Sequence, residues 1–187
     1  ALLPDGRLVS GGCDGRLLLW TTTGQLQAEW GAVEVDGWVT ALLPLGAALL
    51  AVASYKLIHV WDVTSAERVA VLEGHTAMVT SLAVLPDGRL LSGSTDEDLR
   101  LWDMTTFTCA RRFKGQVEVP GIRNYWRDHR VHAVAVLPAG SGWAANSRTL
   151  VASGASDKTI RLWNADDDGD VPVTVLHGHS GAVLALA

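Results

Sequence analysis

Serine, histidine and aspartate recur in this sequence at spacings that could assemble a hydrolytic site. Ser92 and Asp96 stand ten and six residues before Trp102, and His75 stands 17 residues before the serine. In a Ser–His–Asp hydrolase, the histidine takes the serine proton and the carboxylate orients the imidazole. The serine, aspartate and tryptophan return at the same spacing in two further sets: Ser153, Asp157 and Trp163, and Ser10, Asp14 and Trp20. A single active site has no reason to recur, so we interpret these residues as structural groups that satisfy one another when buried.

Neither the acidic stretch at 164–175 nor the cysteines match a metal site well. Four residues of that stretch take the first, third, fifth and sixth positions of a calcium loop: Asn164, Asp166, Asp168 and Gly169. The twelfth position, which should be a bidentate glutamate, is Val175, so we predict a solvated acidic turn. Cys13 and Cys109 have no neighbouring cluster of histidines or cysteines for zinc. We therefore expect no catalytic residue, no metal and no cofactor.

The composition limits the classes of protein to consider. The chain has 187 residues, of which 48% are hydrophobic, and a formal net charge of −5. This mild acidity disfavours a nucleic-acid partner, and no apolar run reaches the ~20 residues of a membrane span. Two cysteines suit a reducing compartment, so we predict a cytoplasmic or nuclear location. The first residue is not Met, which is expected of a fragment or a processed start.

An internal repeat organises the chain. The segment LPDGRLLSGSTDEDLRLW at 85–102 matches LPDGRLVSGGCDGRLLLW at 3–20 in twelve of eighteen positions. Trp20, Trp61 and Trp102 are 41 residues apart, and Trp163 follows 61 residues later. The units contain short apolar or alternating runs separated by Asp/Gly turns, which predicts four antiparallel strands in each. A sheet of this size cannot bury both of its faces alone, so we expect neighbouring copies to stack.

Particular dipeptides within the units point to a known family. Gly74-His75 opens a unit whose third strand ends in Trp102-Asp103, and the same pattern returns in Trp61-Asp62, Trp163-Asn164 and Gly178-His179. Together with the period, these motifs resemble the WD40 repeats of β-propellers. The resemblance implies an all-β fold of four four-stranded antiparallel blades, belonging to a longer propeller of about seven blades. The predicted units are 1–35, 36–73, 74–115 and 116–177, with 178–187 as the first strand of a further or shared blade.

The resemblance also implies a hydrogen-bonded network within each blade. In the family, a histidine at the blade entrance, a serine or threonine on the second strand, an aspartate in the next turn and the tryptophan form it. His75 completes the set of the third unit, and His179 would serve the first unit if the chain ends meet. Ala51 and Tyr55 replace the serine and aspartate of the second unit. Arg127 takes the histidine position of the fourth, where His129 could substitute. We expect these two blades to be softer.

The two ends of the chain leave three arrangements open. ALLPDG, at the start of the chain, has the pattern of the end of a first strand, and SGAVLALA, at the end of the chain, has the pattern of the beginning of one. If the two segments are joined, the spacing in the resulting unit differs from that in the other units by one residue. A slice of a longer propeller is favoured over a closed ring of four blades, because such a ring needs steep blade inclination. Two copies that complete an eight-bladed ring are the third arrangement.

Propellers of this family mostly bind proteins or peptides through the loops that enter each blade and the turns between second and third strands. Four residues directly precede the predicted first strands: Trp38, Met78, Arg130 and Ala182. Four more precede the turn aspartates or their substitutes: Cys13, Ser54, Thr95 and Ser156. An exposed Trp beside Met and Arg has the composition of a binding hot spot. The alternative is that Trp38 and Met78 only pack between blades.

The stretch GIRNYWRDHR at 121–130 is the most individual part of the sequence. Five of its residues are candidates for partner contact: Arg123, Tyr125, Trp126, Arg127 and Arg130. They could clamp an acidic or phosphorylated peptide, stack on single-stranded nucleic acid, or anchor a loop whose charges are solvated. We expect a non-enzymatic scaffold that docks a protein or peptide partner within a larger complex. An enzyme built on this frame would need a non-repeating acid–base or metal cluster.

Overall fold

All regular secondary structure in the described part of the chain is β-strand, which confirms the all-β prediction. The computed structural model describes residues 1–30, 37–114, 129–137, 149–167, 169 and 171–187. Their strands are, in chain order, β1 (Leu8–Gly11), β2 (Leu17–Trp20), β3 (Leu26–Trp30), β4 (Val39–Leu45), β5 (Leu49–Ser54), β6 (Leu57–Asp62), β7 (Glu67–Leu72), β8 (Val79–Val84), β9 (Leu90–Ser94), β10 (Leu99–Asp103), β11 (Thr108–Phe113), β12 (Val131–Leu137), β13 (Leu150–Ala155), β14 (Ile160–Asn164) and β15 (Thr174–Leu176). Within these residues, no helix is long and apolar enough to cross a membrane.

The strands form four antiparallel sheets that follow one another along the chain, as the repeat predicts. The second, third and fourth sheets are four-stranded meanders made of β4–β7, β8–β11 and β12–β15. The first sheet contains β1–β3, and an isolated bridge between Leu2 and Leu8 marks the place of its fourth strand. Short strands joined by tight turns put consecutive strands side by side, so each unit of the repeat becomes one sheet.

The sheets pack face to face, and the tryptophan that closes a third strand faces the preceding sheet. Trp61 of the second sheet shares a core with Val9 and Trp30 of the first, and its ring stacks on that of Trp30 at 6.2 Å. Trp102 and Trp163 occupy the corresponding places in the next two cores, and both are almost completely buried. Because each core is shared by two sheets, neighbouring sheets stabilise one another.

A close approach between sheets recurs at the end of the second strand. A Cβ atom added to Gly93 would lie 2.7 Å from Cγ1 of Val131, the residue that opens the next first strand. A Cβ atom added to Gly154 would lie 2.6 Å from Cγ1 of Val183. These contacts are too short for any side chain, so glycine lets the valine of the following segment pack against the sheet.

Val183 packs against the fourth sheet in the same position in which the first valine of β4, β8 or β12 packs against the sheet before it. It is buried, and its N–H donates to Ala155 O at 3.0 Å, as the N–H of Val79 donates to Tyr55 O at 2.7 Å. Residues 178–187 form no strand in the structure, and their assignment to a further or shared blade stays a prediction. A strand needs a pairing partner for its backbone hydrogen bonds, and no described strand pairs with this segment.

Candidate binding face

The third sheet brings His75, Ser92, Asp96 and Trp102 together in one buried chain of hydrogen bonds. Trp102 Nε1 donates to Ser92 Oγ at 2.8 Å, and Ser92 Oγ lies 2.8 Å from His75 Nε2. His75 Nδ1 lies 2.9 Å from Asp96 Oδ2. With the imidazole proton on Nδ1, every donor in this chain has an acceptor. The order of groups is that of a hydrolytic triad, but the serine and the histidine are buried, and no substrate can reach them.

Two opposing effects act on the Asp96 carboxyl group. Burial alone would raise its pKa, because a charge is poorly solvated away from water. The hydrogen bond and the charge of His75, with the backbone N–H groups of Thr76 and Asp98, outweigh burial and lower the pKa well below its ordinary range. Asp96 is therefore an ionised carboxylate that fixes the His75 ring and the turn after β9.

The fourth sheet contains a different version of this network. Trp163 Nε1 donates to Ser153 Oγ at 2.9 Å, as in the third sheet. The substitute histidine, His129, lies with Nδ1 3.4 Å from Asp157 Oδ2, and Arg161 donates to the same oxygen at 2.9 Å. Arg161 was not identified from the sequence. Its position two residues before the tryptophan on β14 was the available signal, because that residue lies on the same face of the strand.

The first sheet keeps only the link between its serine and its tryptophan. Trp20 Nε1 donates to Ser10 Oγ at 2.8 Å. Asp14 is exposed and accepts the backbone N–H of Arg16 at 3.1 Å. His179, the residue that would complete this set, is exposed beyond the fourth sheet. This network is thus less buried than those of the third and fourth sheets.

In the second sheet, the residue at the position of the network serine differs from the one predicted from the sequence. Val52 pairs with His59 on β6, as Ser92 pairs with Arg100 on β10, so Val52 and not Ala51 takes the place of the network serine. The cause is a shorter hairpin, because Ser54 pairs with Leu57 and leaves a turn of two residues. Counting ten residues back from Trp61, as in the other units, therefore leads to Ala51 instead of Val52. Among the described residues, the buried Nε1 of Trp61 has no hydrogen-bond acceptor.

We expect Val52→Thr to stabilise the protein by about 1 kcal/mol, the net value of one buried hydrogen bond. Val52 and Trp61 lie in the same core, so a hydroxyl at this position can accept the unsatisfied indole N–H. Ala51 faces the opposite core, and Ala51→Ser should cost about 1–2 kcal/mol, because its hydroxyl is buried away from the indole. Urea unfolding of both variants checks the pair. A stabilising Ala51→Ser would contradict the register.

One rim of the sheets, here called the entry face, contains the residues before each first strand and the turns between second and third strands. Backbone hydrogen bonds join these two parts within the third and within the fourth sheet. Thr95 N donates to Met78 O at 2.8 Å, and Ser156 N donates to Arg130 O at 3.0 Å. Each turn is thereby held against the residue that precedes the first strand of its own sheet. Side chains on this rim consequently project from a rigid frame.

The entry face exposes two large aromatic residues at neighbouring backbone positions. Trp38 is 60% exposed and Tyr55 is 58% exposed. They adjoin because Val39, which follows Trp38, pairs with Ser54, which precedes Tyr55. Met78 is half-buried next to them, since Val79 N–H donates to Tyr55 O. Packing between sheets therefore does not account for Trp38.

The remaining candidate residues divide between the entry face and positions outside the described ranges. Arg130, Ala182 and Cys13 are exposed, whereas Thr95 and Ser156 are half-buried. Ser54 is buried, which corrects its assignment to the surface. The shorter hairpin places Ser54 opposite Val39, where the third sheet has the buried Ser94 opposite Val79. Four residues lie outside the described ranges: Arg123, Tyr125, Trp126 and Arg127.

No group of three or more His, Cys, Asp or Glu side chains that could hold a metal ion occurs in the described part of the chain. Both cysteines are free and exposed. The side chains that the entry face exposes or half-exposes include aromatic, thioether and charged groups.

Comparisons with known proteins agree with the architecture. The family model for the WD domain, G-beta repeat, matches residues 66–103 and 122–164. The chain is 28% identical over 210 aligned residues to nuclear distribution protein PAC1 of Arthroderma otae, covering 98% of this chain and 43% of that protein. It is 32% identical over 158 residues to the PAC1 protein of Coccidioides posadasii, covering 76% of this chain and 31% of that protein.

A relative whose name indicates a different role is similar to a comparable degree. The probable cytosolic iron-sulfur protein assembly protein 1 of Chaetomium globosum is 36% identical over 125 residues, covering 62% of this chain and 27% of that protein. The chain thus spans less than half the length of each of these relatives. The repeat period, the four sheets, the serine–tryptophan bonds in three of them and the matches to the family model lead to one conclusion: the chain belongs to the WD40 repeat family.

Proposed function

We propose that this chain is a protein-docking module that binds a protein or peptide partner at the entry face. The observation that carries the proposal is the adjoining pair of exposed aromatic side chains, Trp38 and Tyr55, beside Met78. Trp and Tyr are the residue types most enriched among binding hot spots, and they lose little entropy on binding when a rigid frame holds them. A folded chain has no structural reason to expose both at neighbouring positions.

Charge on the entry face favours an acidic or phosphorylated partner, although the whole chain carries a net charge of −5. Lys56, Arg130 and Lys158 are exposed on this face. The acid next to Lys158 in sequence, Asp157, is bonded to Arg161 within the fourth sheet. A local positive surface on an acidic protein steers an anionic partner toward itself.

The names of the relatives support an intracellular location and do not indicate one particular partner. One name refers to nuclear distribution and another to cytosolic iron–sulfur protein assembly. Both fit a module that works inside the cell as part of a larger complex. These two roles differ, although the sequence identities to the two relatives are similar. The binding residues are therefore inferred from the structure of this chain alone.

We expect Trp38→Ala to weaken partner binding by about 30-fold, which corresponds to the ~2 kcal/mol of a tryptophan hot spot. The test is quantitative capture of partners from an extract of cells that express the protein, with the wild type and each variant as bait. Val171→Ala provides the control, because Val171 is also exposed and lies at the opposite rim, between β14 and β15.

Loss of the same captured proteins with Trp38→Ala and Tyr55→Ala, but not with Val171→Ala, supports the proposal. Unchanged capture by the Trp38→Ala, Tyr55→Ala double variant would reject the entry face as the docking surface. Trp38 and Tyr55 are exposed, so both variants should keep the melting temperature of the wild type. That measurement separates lost contacts from lost folding.

A further inference from the structure

His132 departs from the repeat at a position where the other sheets have a structural threonine. The first strands β4, β8 and β12 each contain a bulge directly after their opening valine, and the bulged residues are Thr40, Thr80 and His132. The two threonine hydroxyls bind the backbone of the next sheet: Thr40 Oγ1 donates to Val79 O at 2.6 Å, and Thr80 Oγ1 donates to Val131 O at 2.7 Å. A bulge re-aims its side chain and is frequent beside functional sites.

His132 makes a different contact, with a residue of the entry face. Its Nε2 lies 2.6 Å from Ser156 Oγ in the turn after β13. In the third sheet, the equivalent Thr95 hydroxyl donates to the backbone at Met78 O. The pairing of His132 with Ser156 is thus not part of the repeated framework. Both side chains are half-buried, so a small ligand can reach them.

Two of the described side chains around this pair are cations. Ser156 N donates to Arg130 O, which places Arg130 beside the serine, and Lys158 lies two residues further in the same turn. Arg130 and Lys158 are both exposed. The third sheet has Glu97 at the position of Lys158, so this cation is particular to the fourth sheet. The acid of the turn, Asp157, accepts hydrogen bonds from Arg161 and Thr159.

The direction of the hydrogen bond between His132 and Ser156 decides what the pair can do. When the imidazole carries its proton on Nε2, it donates to Ser156 Oγ, and the serine hydroxyl is free to donate to an anion. The opposite direction, with the serine donating to Nε2, is the one that activates a nucleophile, and it needs a carboxylate to orient the imidazole. Asp157, the carboxylate of this turn, is bound by Arg161, and the adjacent cations favour the anion.

We propose that His132 and Ser156, flanked by Arg130 and Lys158, form a binding site for a phosphate monoester on a phosphorylated side chain of the docked peptide. This assignment rests on the proposed function, because the peptide reaches the site by docking on the entry face. A phosphate monoester carries close to two negative charges and three acceptor oxygens at neutral pH. Two cations and a free hydroxyl donor match that group better than they match a singly charged carboxylate.

Phenyl phosphate is the probe, because it presents the monoester group without a peptide. It is titrated into the protein at constant ionic strength while NMR follows the His132 ring and the Ser156 amide. Weak saturable binding is expected, with a Kd on the order of millimolar, as for an isolated anion on a partly exposed site. His132→Thr and Ser156→Ala should each weaken it by at least about fivefold, since each loses a charge-assisted donor or its orienting partner.

The variants are matched to controls in the same chain. His132→Thr installs the residue that occupies the same bulge in the second and third sheets, so it should fold as the wild type does. Lys158→Gln should weaken binding about threefold, whereas Lys56→Gln, in the turn of the second sheet, should leave it unchanged. Equal affinity in the wild type and in His132→Thr, or acetate binding as tightly as phenyl phosphate, would overturn the assignment. Neither result depends on Trp38, so docking at the aromatic pair is tested separately.

Discussion

Replacing Ser92 with alanine should destabilise the protein by about 2–4 kcal/mol, because two buried groups lose their partner at once. Trp102 Nε1 would have no acceptor, and His75 Nε2 would have no donor. Both side chains are too deeply buried for water to replace the hydroxyl. The change removes a single oxygen atom, so lost packing contributes little. Urea unfolding followed by tryptophan fluorescence measures the effect.

The same substitution in the other sheets provides a graded control. Ser153→Ala leaves only the indole of Trp163 unpaired, which should cost about 1–2 kcal/mol. Ser10→Ala should cost less than about 1 kcal/mol, because the bond from Trp20 is only partly buried and water can take the place of the serine. Equal losses of stability at the three positions would show that the stabilisation does not depend on how many buried groups the serine hydrogen-bonds.

The network of the third sheet could be predicted from the sequence because each of its parts has a distinct chemical requirement. A buried indole N–H needs an acceptor, a buried serine hydroxyl and imidazole need each other, and a buried carboxylate needs charge and donors. The resemblance to WD40 repeats then indicates which residues meet at these spacings, and the contacts of His75, Ser92, Asp96 and Trp102 agree with it. The all-β architecture followed from the same repeat, since a short apolar sheet must be covered on both faces.

The register of the second sheet could not be predicted, because hairpin length is not visible from the position of the tryptophan. The turn at Tyr55 and Lys56 has two residues, whereas the third sheet uses three, so the strand before it is offset by one. An offset of one residue moves every side chain of a strand to the opposite face. Val52 therefore faces the indole of Trp61. Tyr55, which the sequence aligns with the turn aspartate, is an exposed aromatic residue of the entry face.

His132 was not identified as a candidate binding residue from the sequence for a related reason. A bulge residue lies outside the alternation of a strand, so its direction does not follow from the pattern. The available signal was a comparison of the three first strands, in which threonine follows the opening valine twice and histidine follows it once. Departures from a structural repeat are good candidates for function, because the repeat itself explains only the residues that recur.

Acid should weaken the protein through Asp96. Because His75 and two backbone N–H groups hold the pKa of Asp96 below its ordinary value, the folded chain keeps this carboxylate ionised where the unfolded chain takes up a proton. The resulting stabilisation is complete above about pH 4, the pKa of an unperturbed aspartate, and is lost as the pH falls from there through the lowered pKa of the folded state.

Asp96→Asn tests this dependence, because asparagine keeps the shape of the side chain and removes the charge. At pH 7 the variant should be less stable than the wild type by about 2–3 kcal/mol, because it lacks the charge of a carboxylate whose pKa is lowered in the folded state. Asp14→Asn, at the equivalent and exposed position of the first sheet, should change stability by less than about 0.5 kcal/mol. The difference between wild type and Asp96→Asn should shrink below pH 4, since the wild type then loses the charge that the variant lacks. A difference that stays constant down to pH 2.5 would mean that Asp96 stabilises the sheet through hydrogen bonds that do not require its charge.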